Sequence, residues 1–123
     1  MNIGSKGAKG EKLAEKYLKK HKYKIIFRNY QTRFGEIDII AKKDNIIAFC
    51  EVKTRTPGAL VSGKEAVDKY KQKRIIKTAL DYISRFKPDL QPRFDVIEVV
   101  SDSKNSEVEH IENAFEVRGI DYF

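Results

Sequence analysis

Leu13, Ala14, Tyr17 and Leu18 recur at helical spacing with lysines on the opposite side, and they predict a first helix over residues 6–20. The pattern then changes period. Residues 23–30 are rich in isoleucine and aromatic side chains and read as a strand. Residues 36–42 alternate, with Ile37, Ile39 and Ala41 on one face and Glu36, Asp38 and Ile40 on the other. Lys43-Asp44-Asn45 is a turn and 46–54 a third strand, so the three strands predict an antiparallel meander. Pro57, Gly58 and Gly63 mark a loop over 55–63. Ser62 and Glu65 have the spacing of a capping box, which predicts a long second helix running to about Phe86. Its expected buried stripe is Val67, Tyr70, Ile75, Ile76, Ala79, Leu80 and Ile83, and Pro88 and Pro92 end it. A β-rich fourth strand follows at 94–100, with a weaker one over 107–117. The order α-β-β-β-α-β, with its helical crossover, makes strand four parallel to its neighbour. The expected fold is α/β, with a mixed central sheet flanked by a helix on each side.

At 123 residues the chain suits a single domain, 1–123, with one core. Its apolar runs fall far short of the ~20 residues that span a bilayer, so no membrane partner is expected. The lysine-rich start lacks the continuous apolar stretch of a secretory signal. A single cysteine, Cys50, allows no internal disulfide. A cytoplasmic setting is therefore expected.

The net charge of +7 is unevenly spread: residues 1–24 carry +6, 25–52 are neutral, 53–93 carry +7 and 94–123 carry −6. A basic body with an acidic end points to a polyanionic partner, although lysines can also serve only to keep a small protein soluble.

Two carboxylates sharpen this. Asp38 and Glu51 each sit in an otherwise strongly apolar strand. If the hairpin is centred on Asp44-Asn45, paired residue numbers sum to 89, which sets Asp38 opposite Glu51 and Glu36 opposite Lys53. Opposed residues have Cβ atoms roughly 4.5–5.5 Å apart, so the two acids repel, the more so when buried. A hard divalent cation such as Mg²⁺ would offset that cost. Lys53, two residues from Glu51, shares its strand face. Two acids and a lysine around a metal can cleave a phosphodiester, the lysine orienting water or stabilising developing charge. The alternative is a pair of solvated edge residues, with Lys53 bridging Glu36.

Asp38 followed thirteen residues later by Glu51-Val52-Lys53, in this order of elements, resembles the PD-(D/E)XK nucleases and their restriction-endonuclease-like fold. Further motifs are Gly10-Glu11, Ala14, Tyr17-Leu18, Arg28-Asn29-Tyr30, Gly35-Glu36-Ile37-Asp38, Phe49 to Arg55, Lys71-Gln72 and Arg93-Phe94-Asp95-Val96. Together they resemble the YraN family, bacterial proteins similar to archaeal Holliday-junction resolvases. A lone Glu-X-Lys tripeptide is common; the ordered set carries the resemblance. It implies Asp38 and Glu51 as metal ligands, with Glu11 brought to the same metal from helix one, and Lys53 as the catalytic lysine. Mg²⁺ or Mn²⁺ is the implied cofactor, DNA, including branched DNA, the implied substrate, and a homodimer the implied assembly. Glu36 ranks behind these, as support for Lys53 or a second metal. Two positions depart from the pattern: Ile37 stands where the superfamily has proline, and Cys50 where an aliphatic residue is usual. Cys50 has opposite parity to Glu51 and reads as core.

Thr54, Arg55, Lys71, Gln72 and Arg74 are the candidate nucleic-acid contacts, against a reading of the basic helix as solvated charge. Phosphate contacts of this kind make binding salt-sensitive and largely sequence-independent. Tyr17, Tyr23, Phe27, Tyr30 and Phe34 fit core packing better than base stacking. Glu15 reads as a solvated helix carboxylate, His21 as a contact at the end of helix one, and Asp95 as a structural hydrogen-bond acceptor. Two other readings stand beside a metal-dependent DNA endonuclease. One is a nucleic-acid-binding module of the same fold that acts with a repair or recombination partner; the other is a scaffold whose basic faces bind a protein.

Overall fold

The computed structural model describes residues 5–55, 57, 67–101 and 104–117. The elements are α1 (Ser5–Lys20), β1 (Lys24–Thr32), β2 (Gly35–Lys43), β3 (Ile46–Arg55), α2 (Lys69–Phe86), β4 (Gln91–Ser101) and β5 (Ser106–Phe115). The strands form one sheet in the order β1-β2-β3-β4-β5. The first three make the expected antiparallel meander, β4 runs parallel to β3, and β5 returns antiparallel at the far edge.

α1 and α2 cover opposite faces. Under α1, Ala14 and Leu18 pack on Ile39, Ala41, Ala48, Cys50, Ile97 and Val99. Under α2, Ile75, Ile76, Ala79 and Tyr82 pack on Ile37, Ile40, Ile47, Phe49, Phe94 and Val96. Cys50 is fully buried, as its parity requires. α1 stops in a Schellman motif, in which Lys22 turns left-handed (φ 74°) and the Tyr23 and Lys22 amides donate to the Leu18 and Lys19 carbonyls.

Four expectations change. α2 starts at Lys69, after Asp68, whose side chain accepts from the Lys71 amide at 2.8 Å. Asp68 is thus the cap, while Ser62 and Glu65 lie outside the described residues. Tyr70 is not in the buried stripe but 72% exposed. Five residues before Ile75, it lies roughly 140° around the helix from that core position. Ile37 does not share a face with Ile39 and Ala41; it joins Ile40 under α2. The alternation of β2 breaks at Asp38, beside Asn29 of β1, whose backbone is left-handed (φ 53°). Finally, Pro92 does not lie between elements but pairs with Ile47 near the start of β4.

Candidate active site

The ladder between β2 and β3 keeps the register that sums to 89 and ends at Ile39↔Cys50. Beyond that pair the sheet forks. β2 stays with β1 as far as Thr32↔Gly35, and β3 stays with β4 as far as Arg55↔Val100. Asp38 and Glu51 are the first residues past the split, and the Val52 amide donates to Asp38 Oδ2 at 2.8 Å in place of a ladder bond. Glu36 is not opposite Lys53, because the strands have parted; Lys53 is matched with Glu98 of β4 instead. Glu36 sits near Gln31, at 3.4 Å.

Glu51 is buried and faces α2, where Lys71 Nζ lies 2.5 Å from its Oε1, with Lys53 Nζ at 3.8 Å. Burial first, and then the Glu51 charge, push the Asp38 carboxyl up to about 7. Burial and the neighbouring Lys71 ammonium hold the Lys53 amine below the ordinary lysine value. Burial also opposes the Lys71 ammonium, but its hydrogen bond to Glu51 prevails and its pKa is raised.

Glu11 approaches through α1. Gly10 makes this possible, since a Cβ there would stand 2.2 Å from Thr54 Oγ1. With its amide nitrogen turned toward the acids, Asn29 donates to Glu11 Oε1 at 3.0 Å and Glu36 Oε1 at 2.9 Å. Burial, and then Glu36, raise the Glu11 pKa, with Glu51 adding to the shift. The neighbouring Arg28 binds Glu15, so Glu15 is not a merely solvated carboxylate; Arg28 and Lys19 hold it, the Arg28 hydrogen bonds bringing its pKa down to about 2. Tyr30 donates to Asp81 Oδ2 of α2 at 2.9 Å. Arg28-Asn29-Tyr30 therefore ties β1 to both helices.

A cavity of about 460 Å³ opens on this face, lined by Gly35, Glu36, Asp38, Glu51, Asp68, Tyr70, Lys71, Arg74 and Ile75. Of the candidate nucleic-acid contacts, Lys71 and Arg74 reach it. Arg74 is anchored by donating from Nε to the Phe34 carbonyl at 3.1 Å. Gln72 folds back to donate to the Val67 carbonyl at 2.9 Å, and Thr54 packs against Gly10. Arg55 Nε lies 2.9 Å from Oε1 of the buried Glu98. Neither Glu98 nor the bridging role of Asn29 stands out in the sequence; an Asn within a β-rich segment is the one local signal.

Among the described residues no three His, Cys, Asp or Glu side chains converge to cage a metal. Two adjacent carboxylates, one with its pKa raised by burial and by the other, still suit Mg²⁺, which is commonly held by one or two carboxylates with the remaining ligands supplied by water or substrate phosphate. Asp38 and Glu51 would hold it, with Glu11 in the same field.

The model of the uncharacterised protein family UPF0102 matches residues 10–99, from Gly10 beside Glu11 to just past Glu98. The chain belongs to this family, the YraN family. UPF0102 relatives include one from Geobacter metallireducens, 46% identical over 92% of this chain and 93% of its own length. Another, from Caldanaerobacter subterraneus subsp. tengcongensis, is 47% identical over 94% of this chain and 98% of its own. The UPF0102 match thus spans α1 from Gly10 onward, all of α2, the fork and all four residues Glu11, Asp38, Glu51 and Lys53.

Proposed function

We propose that the chain hydrolyses phosphodiester bonds in DNA, branched DNA included, with Mg²⁺ or Mn²⁺. The observation that carries this reading is the pair Asp38 and Glu51, side by side where the sheet forks, with Asp38 pushed up to about 7 by burial and by Glu51. Structural ion pairs match each acid to a cation. Here Glu51 has Lys71 and Lys53 against it, while Asp38 beside it accepts from the Val52 amide and has no cation of its own among the described residues. Both acids line a cavity with Lys71 and Arg74, an arrangement that a divalent cation and a phosphate would complete. Bound between Asp38 and Glu51, the cation would polarise the phosphate and lower the pKa of an attacking water. Lys53, with its pKa depressed, orients that water or stabilises charge on the phosphate oxygens. Lys71, beside Glu51, and Arg74, anchored at the Phe34 carbonyl, would meet the substrate phosphates. Arg55 and Thr54 position β3 through Glu98 and Gly10.

A second reading, a DNA-binding module of the same fold that does not cut, is favoured by the lack of a third converging ligand among the described residues. The test is incubation with linear, flapped and four-way-junction DNA in Mg²⁺ or Mn²⁺. Metal-dependent cutting that Glu51→Ala and Lys53→Ala both abolish supports the enzyme. Salt-sensitive binding without cutting, unchanged in the variants, supports the module.

A further inference from the structure

Tyr70 has the greatest fractional exposure of the large apolar side chains among the described residues, at 72%. Scattered exposed apolar residues are ordinary. This one is placed. Its ring lines the cavity that contains Asp38 and Glu51, and the Arg74 guanidinium carbon lies 6.0 Å from its centroid. Arg74 is itself pinned to the Phe34 carbonyl, and its side chain lies so close to Gly35 (φ 153°) that a Cβ there would stand 3.4 Å from Arg74 Cβ. The ring thus stands in solvent at the mouth of the site, backed by a fixed cation. A tyrosine there loses little side-chain freedom when a flat ligand lies on it, since it has two torsions.

Every nucleobase has a face that stacks on such a ring, with the neighbouring arginine contributing. In continuous duplex those faces are covered by the adjacent base pairs. An aromatic platform beside the scissile position therefore engages only a nucleotide that has left the stack.

We propose that Tyr70 stacks on an unpaired base next to a phosphate met by Lys71 and Arg74, so that the site selects single-stranded, flapped or unstacked nucleotides over continuous duplex. The proposal rests on the nucleic-acid reading of the site and gives it a substrate class.

Fluorescence anisotropy in EDTA, at fixed salt, would compare a single strand, a flapped duplex and a blunt duplex of equal length. The expected result is tighter binding of the flap and single strand than of the blunt duplex. Tyr70→Ala should weaken the first two by about tenfold and leave the third unchanged, while Tyr70→Phe keeps the wild-type order. 2-Aminopurine at the first unpaired position should be quenched by the wild type and by Tyr70→Phe but not by Tyr70→Ala. Equal affinity of Tyr70→Ala and wild type for all three DNAs, or equal loss on all three, overturns the proposal. Stacking through Tyr70 by a protein that never cuts would leave it standing and remove the nuclease reading. Cutting of blunt duplex that Tyr70→Ala leaves intact would do the reverse, and failure to bind any DNA would overturn both.

Discussion

The Asp38 carboxyl accepts a hydrogen bond from the Val52 amide, which favours its charged form, yet burial and Glu51 prevail and its pKa rises to about 7. In the unfolded chain the same group titrates near ~3.9. Below that value it is protonated in both states and its contribution to stability is full. Between about pH 4 and 7 the unfolded chain loses the proton while the folded one keeps it, so stability falls as pH rises. In metal-free buffer, Asp38→Asn should therefore be more stable than wild type at pH 8, by about 2 kcal/mol, with the gap closing toward pH 4. Urea melts across that range check it, and parallel curves for the two proteins would refute it. The register that ends at Ile39↔Cys50, one position short of Asp38 and Glu51, was legible because one turn, Asp44-Asn45, sets the register of a whole hairpin. The forking that follows was not. It depends on a side chain taking a backbone amide, which no alternation of residue types encodes.

Helix α1 brings Glu11 to the fork only because its Gly10 presses against Thr54. Gly10→Ala places a methyl against Thr54 Oγ1, so the Thr54 side chain must turn away or the helix must shift outward. The expected cost is about 1–3 kcal/mol in chemical denaturation, with Glu11 drawn away from the acids. Thr54→Ala removes the clashing oxygen, and the nearest remaining Thr54 atom, its Cβ, is at 3.5 Å, an ordinary contact. The double variant should recover most of the loss, a coupling that a double-mutant cycle measures; additive losses would show that Gly10 matters for another reason. Gly10 and Thr54 lie on different elements, far apart in the chain, so only the motif Gly10-Glu11 hinted at the contact. Helix α2 shows the opposite case. Ser62 and Glu65 matched a local capping rule, but Asp68 caps the element, because local spacing offers more than one start and packing selects among them. The same start accounts for Tyr70: the stripe begins at Ile75, so the tyrosine remains outside it.

Across the whole sheet, the face under α1 carries a buried polar network that does not involve the fork. Asp95, fully buried in β4, accepts from Arg93 Nε at 2.9 Å, from the Asn113 amide at 3.0 Å and from His110 Nε2 at 2.7 Å. Arg93 also donates to the Tyr23 hydroxyl at 2.6 Å, so residues before β1 and on β5 meet across β4. Burial works against the charged carboxyl, but the hydrogen bonds from His110 and Arg93 outweigh it and hold the Asp95 pKa below the usual carboxylate range. The sequence supported a structural role for Asp95, while its partners, on the far side of the fold, could not be read from spacing. The network lies under α1, whereas Asp38 and Glu51 line the cavity beside α2, which separates stability from the chemistry of those two acids. Asp95→Ala should thus cost about 3–5 kcal/mol, since it strands a mostly buried arginine and histidine. Below the melting transition it should leave the site intact: Mg²⁺ should raise the melting temperature of Asp95→Ala as much as that of wild type. In Asp38→Asn the Mg²⁺ shift should vanish while the Asp95 network stays in place. Thermal melts of both variants with and without Mg²⁺ read the two effects separately. Loss of the Mg²⁺ shift in Asp95→Ala would mean that the two faces are coupled through β3 and β4.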